Sequence, residues 1–384
     1  MLAWPHDSPL VPRHGGHPTG DRTWAWLFLG LLVAAFAAYV GGVMLTRSAP
    51  PHLAAVATIA CAVQLVPLGA PLLLSTDAWA YWDYGRLATV HDANPYRAEP
   101  DDFPNDRAFA LMGTDWRDST TVYGPAFTLA SEPLARAAGS SADAAAWIYK
   151  SLAAVAVLAA AALAARLSRR PALALAFVGW NPLLAVHFAG GGHNDAWVAL
   201  LVVGALAAGA AGRRQLAGVC WALSVFVKWI PLVLLPLRAL EARAQRRRVG
   251  HIGFALAAAL LGAAAFARYG TGWLHAFGPL ARNANHETRW ALPHRLEQLG
   301  APRDVAIALF ATAFVAVYAW LAREAWRGKA RLGLATCALL LATPYLVVWY
   351  VVWALPLAAA EDDESAALLS LALCAYLLRQ TIPL

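Results

Sequence analysis

Residues 53–86 read LAAVATIACAVQLVPLGAPLLLSTDAWAYWDYGR, an apolar run that breaks abruptly into an acidic and aromatic segment. The run 53–74 is long enough to cross a hydrocarbon core of about 30 Å. Asp77 follows it almost at once, so its carboxylate belongs at the membrane–water boundary, where charge is tolerated. Working outward, further apolar stretches lie at 24–45, 144–167, 171–189, 196–212, 252–267 and 305–321, with 332–360 and 366–378 near the C-terminus. Hydrophobic residues make up 60% of the 384-residue chain and charged residues 14%, against about 25% charged in soluble domains. The pattern predicts an all-α polytopic membrane bundle of about 10–12 membrane helices, including a short re-entrant hairpin. A polar lead, 1–23, precedes a single membrane domain, 24–384, and is too long and polar to read as a cleaved signal.

The formal charge of +7 does not indicate a nucleic-acid partner. Its Arg and Lys residues cluster in short loops at 166–170, 213–214, 243–248 and 323–331, as the positive-inside tendency produces. Cys61, Cys220, Cys337 and Cys374 fall in predicted spans and imply no disulfide framework. With the basic loops in the cytoplasm, 75–143 becomes a large extracytoplasmic loop, 190–195 an outer turn and 269–304 a second outer loop, and the N-terminus lies outside. The segment 215–240 has basic loops at both ends and Lys228-Trp229-Ile230-Pro231 at its middle. It is too short for two spans and reads as a hairpin whose tip enters an aqueous pocket from the cytoplasmic side.

A short helix starting at Thr76 or Asp77 puts Asp77, Tyr81 and Tyr84 on one face and Trp79, Asp83 and Arg86 on the other. Asp77 is then either a general base or a helix-capping carboxylate, and Asp83 with Arg86 reads as a local ion pair. His193, Asn194 and Asp195 follow three glycines in the outer turn, either capping the next helix or holding a sugar, phosphate or metal. His187 lies one turn and a half before them. Lys228 at membrane depth requires an anion, either a lipid-linked phosphate or a buried aspartate. Asp101, Asp102, Asp106, Asp115 and Asp118 form an acidic stretch, a solvated surface or a cation site. The second outer loop carries Trp273, His275, Arg282, His286, Arg289, Trp290, His294 and Arg295, and Trp349-Tyr350 with Trp353 follow the break at Thr343-Pro344. No phosphate-cradling glycine loop for a nucleotide is found.

Asp77-x-x-x-Tyr81-x-x-Tyr84-Gly85-Arg86, Asn94-Pro95-Tyr96, Tyr123-Gly124-Pro125, Asn181-Pro182, Gly192-His193-Asn194-Asp195, Lys228-x-x-Pro231 and Trp349-Tyr350-x-x-Trp353 occur in an order that resembles the GT-C glycosyltransferases. Within them, the chain is similar to the actinobacterial polyprenol-phosphate-mannose-dependent α-mannosyltransferases. The resemblance implies a multi-pass plasma-membrane enzyme moving mannose from a polyprenyl phosphate to a glycan or glycolipid acceptor, with inversion, on the extracytoplasmic side. It makes Asp77 the catalytic residue and assigns the lipid phosphate to Lys228 with Arg282 or Arg289. Tyr81, Tyr84, Arg86, Tyr96, Tyr123, His193, Asn194, Asp195, Trp349 and Tyr350 would line the sugar and acceptor sites. A divalent cation is compatible with it, since some GT-C enzymes use one and others do not. Two alternatives stay open: a flippase for a lipid-linked sugar, and a non-catalytic membrane subunit. A flippase of this size usually shows two related halves, whereas here the polar residues gather on one side and the hairpin has no twin.

Overall fold

Long apolar stretches free of proline form long helices here, and those containing proline break. The computed structural model describes residues 8–12, 20–276 and 287–384. In chain order its helices are α1 (Thr23–Ser48), α2 (Leu53–Leu65), α3 (Asp77–Thr89), α4 (Pro125–Ala138), α5 (Ala142–Leu167), α6 (Pro171–Gly179), α7 (Pro182–Leu184, continued by the π-helical Ala185–Gly190), α8 (Asp195–Ala210), α9 (Arg214–Val227), α10 (Leu235–Ala244), α11 (His251–Tyr269), α12 (Leu292–Gln298), α13 (Arg303–Trp326), α14 (Leu332–Ala342), α15 (Leu355–Ala360) and α16 (Glu364–Leu377). No strand occurs among the described residues. The fold is that of a polytopic helical membrane protein.

Four described helices are long and apolar enough to cross a membrane: α1, α5, α13 and the stretch His251–Ala276 that contains α11. A fifth span arises if α6 and α7, bent by 43° at Asn181-Pro182, are taken together. The remaining apolar stretches are shorter helices. Pro67 turns the end of 53–74 into a 3₁₀ segment, and Pro344 and Pro356 divide 332–360. Proline removes a helical donor and clashes with the preceding turn. Asn181 repairs the break before α7, its side-chain oxygen accepting from the amides of Leu183 (2.9 Å) and Leu184 (3.4 Å).

The centre of the bundle is α5, which packs on α6 and α8, while α8 packs on α9 and α9 on α11. The most apolar stretch of α5 is 56% buried, against 11–17% for the other three long helices, which present leucine and valine outward as a lipid-facing surface does. Ala153, Ala154, Ala160, Ala161 and Ala164 are fully buried on α5, and such small residues let helices approach closely where lipid gives no hydrophobic drive.

The basic loops gather at one end of the bundle. There Arg331 grips Asp363 at 2.6 and 2.7 Å, Ser168 and the Arg169 amide bind Asp362, Arg47 pairs with Glu364, and Gln245 bonds the Gly328 carbonyl. Every basic loop of the sequence lies at or beside this end. Arg214 joins it because Gly218 and Gly250 pack α9 directly against the start of α11. A Cβ on Gly218 would lie 1.9 Å from the Gly250 carbonyl oxygen. Gly218→Val is therefore expected to cost at least about 1–3 kcal/mol, the usual range for overpacking, because the obstruction is backbone. Thermal unfolding of the purified variant in detergent checks this, and an unchanged Tm would contradict the crossing.

Helix α9 rises from the basic end for 14 residues and stops at Lys228, after which the 3₁₀ turn Ile230–Val233 and α10 return the chain to that end. The opposite end holds α3, the turn between α7 and α8, and residues 8–12, whose Leu10 carbonyl accepts from the Leu74 amide.

Candidate active site

Asp77 opens α3 with Thr76 at the N-cap position. Its carboxylate caps no amide of its own helix. Instead, Oδ2 accepts from the Tyr81 hydroxyl at 3.2 Å, one turn on, and lies 3.0 Å from Nδ1 of His193. His193 is fully buried, whereas Asp77 keeps 15% of its side-chain surface and lines a cavity of about 680 Å³. Burial pushes Asp77 up, but His193, the Lys228 charge and Ser75 together hold it below the ordinary carboxylate value. An ionised carboxylate facing a cavity, oriented by two partners on one oxygen, has the form of a general base.

The outer turn supplies the next two groups. Asn194 is the N-cap of α8 but its side chain makes no capping bond, and neither its amide nitrogen nor its oxygen has a partner among the described residues. Its backbone amide donates weakly to Tyr81 at 3.4 Å. Asp195 accepts from Lys228 Nζ at 2.7 Å. Of the two anions foreseen for Lys228, the structure therefore contains the buried aspartate. The Lys228 side chain stays 18% exposed, however, and lines the same cavity as Asp77, and its ammonium sits over the rings of Tyr350 (4.8 Å) and Trp353 (5.3 Å). With three donors and one spent on Asp195, it can still bind an anion entering the cavity.

How the hairpin tip reaches this depth is clear from Gly124. Its amide donates to Val227 O at 3.0 Å, and a Cβ there would lie 2.1 Å from the Phe226 carbonyl oxygen. Only glycine lets the loop from α3 close on the last turn of α9, setting Tyr123 and Lys228 on one cavity wall. Trp349 stacks on His193 (3.7 Å between centroids, 14° between planes), and Tyr350 stacks on Trp353 at 4.0 Å. Ile230, Val233, Leu339 and Leu340 form an apolar part of the wall, and Thr76, Asp77, Thr114 and Asp115 a polar part.

The cavity thus gathers Asp77, Tyr123, Lys228, Trp349 and Tyr350 directly, with Tyr81, His193 and Asp195 bonded to its lining and Asn194 beside them. Four more of the expected residues, Tyr84, Tyr96, Arg86 and Arg289, are also absent from its lining. Tyr84 donates to the Ser119 carbonyl at 2.8 Å, and Tyr96 donates to Tyr123 O and bonds Thr128 in a separate aromatic cluster. Arg86 clamps Asp106 at 2.7 and 2.9 Å and donates to Gly139 O. The local Asp83–Arg86 pair is therefore corrected: the guanidinium turns to a carboxylate twenty residues on, where His91 also binds. Asp83 is left buried with one oxygen unpartnered among the described residues, and burial with the Asp106 charge pushes it to about 7. Arg289 is exposed and off the cavity. Arg282 and His286 lie outside the described residues.

Of the acidic stretch, Asp102 accepts from the Glu99 amide and Asp115 lines the cavity. His187 is buried near His193 and Trp349, its Nδ1 without a partner among the described residues. Several contributors were not anticipated: Tyr345, the loop 113–116 and Pro12 of the N-terminal lead. So was Lys150, buried in α5, whose ammonium ties the carbonyls of Leu68, Ala70 and Pro71 beneath the Asp77 segment. A lysine inside an alanine-rich span was the available signal. Among the described residues, the one set of three metal-type donors, Glu287, His294 and Glu297, is outside the cavity lining.

Residues 10–243, well over half of the chain, match a family model for the MptA/B family, described as alpha-(1->6)-mannopyranosyltransferase, N-terminal domain. No curated protein and no solved structure matches the chain.

Proposed function

The chain belongs to the MptA/B family of alpha-(1->6)-mannopyranosyltransferases, and from that premise we propose that it transfers mannose from a polyprenyl phosphate to a mannoside acceptor on the extracytoplasmic face, with Asp77 as base. The observation that carries the reading is the sharing of one cavity by an ionised carboxylate, a lysine ammonium and an apolar wall. A sugar already joined to a lipid phosphate needs no further activation. The protein has to hold the acceptor in line, take its proton and neutralise the phosphate that leaves.

In the proposed step the acceptor hydroxyl oxygen attacks the anomeric carbon, the bond from that carbon to the phosphate oxygen breaks, and configuration inverts. The proton passes to Asp77 and the negative charge stays on the polyprenyl phosphate beside Lys228. Leu339, Leu340, Ile230 and Val233 suit the first isoprene units, and the loop 113–116 faces the cavity at its polar part, suited to an acceptor sugar. Trp349 and Tyr350 offer faces on which a pyranose can stack.

The test uses purified protein in liposomes with polyprenyl-phosphate mannose and a short α-mannoside. The expected product is the acceptor lengthened by one α-1,6-linked mannose, with no product from GDP-mannose. Donor movement across the bilayer without transfer would replace this reading with a flippase.

A further inference from the structure

Glu287 lies just before α12, and His294 and Glu297 lie within it. Nδ1 of His294 is 3.1 Å from Glu287 Oε2 and 3.4 Å from Glu297 Oε2, and the three donor atoms lie within 4.8 Å of one another. An imidazole nitrogen carries at most one proton, so it cannot make a full hydrogen bond to both carboxylates, which also repel each other. Glu297 Oε1 is buried with no partner among the described residues. We infer that these three side chains bind one divalent first-row transition-metal ion, zinc in the first instance, as a structural staple for the outer face.

The geometry suits such an ion. Ligand bonds of about 2.0–2.2 Å place donors about 3.0–3.6 Å apart around a tetrahedral or octahedral centre, which spans the two observed separations. A small rotation of either glutamate closes the third side. One imidazole with two carboxylates is a borderline donor set, favouring zinc or manganese over calcium and magnesium, which prefer all-oxygen shells. Arg303 donates to the other oxygen of Glu287 at 2.8 Å, holding Oε2 toward the centre as outer hydrogen bonds do for metal-binding carboxylates.

What the ion would hold is visible in the next residue. The Thr288 amide donates to Pro344 O at 3.0 Å, its hydroxyl donates to Leu346 O at 2.7 Å, and the Leu346 amide donates back to that hydroxyl at 3.0 Å. Thr343 and Tyr345 of that segment line the cavity. An ion at Glu287 thus fixes the start of α12 and, through Thr288, one cavity wall. It takes no part in bond making.

The test loads chelator-stripped protein in detergent with ZnCl₂ or MnCl₂, using CaCl₂ as the hard-ion comparison, and reads metal content and Tm. Wild type is expected to retain about one ion per chain and to rise in Tm as metal saturates it. His294→Ala and Glu297→Gln should lose both effects, and Arg303→Ala should weaken binding about 10- to 100-fold. Asp77→Asn should bind as wild type does, separating this site from the catalytic cavity. The inference is overturned if wild type retains no more metal than His294→Ala, or if all variants shift equally. It is equally overturned if Tm follows pH but not metal, the signature of a protonated His294 simply paired with two glutamates.

Discussion

Asp77→Asn is expected to lower mannosyl transfer by about 10²–10⁴-fold, the span that positioned general bases contribute, while the protein still folds and still binds donor. Asparagine keeps the size of the side chain and the oxygen that accepts from Tyr81, so packing at the start of α3 changes little. It cannot take a proton. His193 supplies the control, because Nδ1 holds Asp77 at 3.0 Å and its ring lies flat on Trp349. His193→Gln should retain part of the activity by orienting the carboxylate, whereas Asp77→Asn should retain almost none. The pH profile follows from the charge. Burial pushes Asp77 up, but His193, Lys228 and Ser75 bring it below the ordinary carboxylate value, and the active form is the ionised one. Transfer should therefore not fall on acidification through pH 5 on account of Asp77, and the loss should come only below the usual carboxylate range. Transfer assays of both variants across pH, beside donor binding, decide the matter. Near-normal rates in Asp77→Asn would remove it from the base role.

What could be read ahead of the structure was set by contrast. Asp77, Lys228 and the Trp349–Tyr350 pair stand out because charge and aromatic hydroxyls are costly or specialised in an apolar chain, and helical spacing alone puts Tyr81 beside Asp77. Basic loops likewise sorted the chain's ends, and they do gather at one end of the bundle. Partners remote in sequence were not legible. Arg86 has an aspartate three residues before it, yet it reaches Asp106, since the fold offers two hydrogen bonds and a second cation there. The points at which the helices break were not legible either, because a hydropathy run ignores what Pro67, Asn181-Pro182 and Pro344 do to a helix. His294 and Glu297 share a helix face, but Glu287 precedes that helix, so only the folded loop brings it to them. The same holds for Asp195 and Lys228, which come from different helices.

Lys228→Met is expected to raise the donor KM about 10- to 100-fold, corresponding to the loss of a hydrogen bond to a charged group worth about 1.5–3 kcal/mol, with a smaller effect on the acceptor. The variant carries a second consequence that has to be separated from the first. Asp195 is 1% exposed and its Oδ2 already lacks a partner among the described residues, so removing the lysine strands a buried carboxylate. Breaking such a pair typically costs about 3–5 kcal/mol, and Tm should fall. Adding Asp195→Asn removes the stranded charge, so Lys228→Met/Asp195→Asn should regain most of the lost Tm. Donor affinity should not return with it, because no ammonium remains over Tyr350 and Trp353 to meet the phosphate. Two readouts on three proteins thus distinguish an anion site from a structural pair. If the double variant recovers wild-type donor KM along with its Tm, Lys228 serves only Asp195, and the phosphate must be held elsewhere. If stability returns and donor binding stays weak, the lysine's two unused donors are what the lipid phosphate engages, and Asp195 is the counter-ion that keeps it in place before the donor arrives.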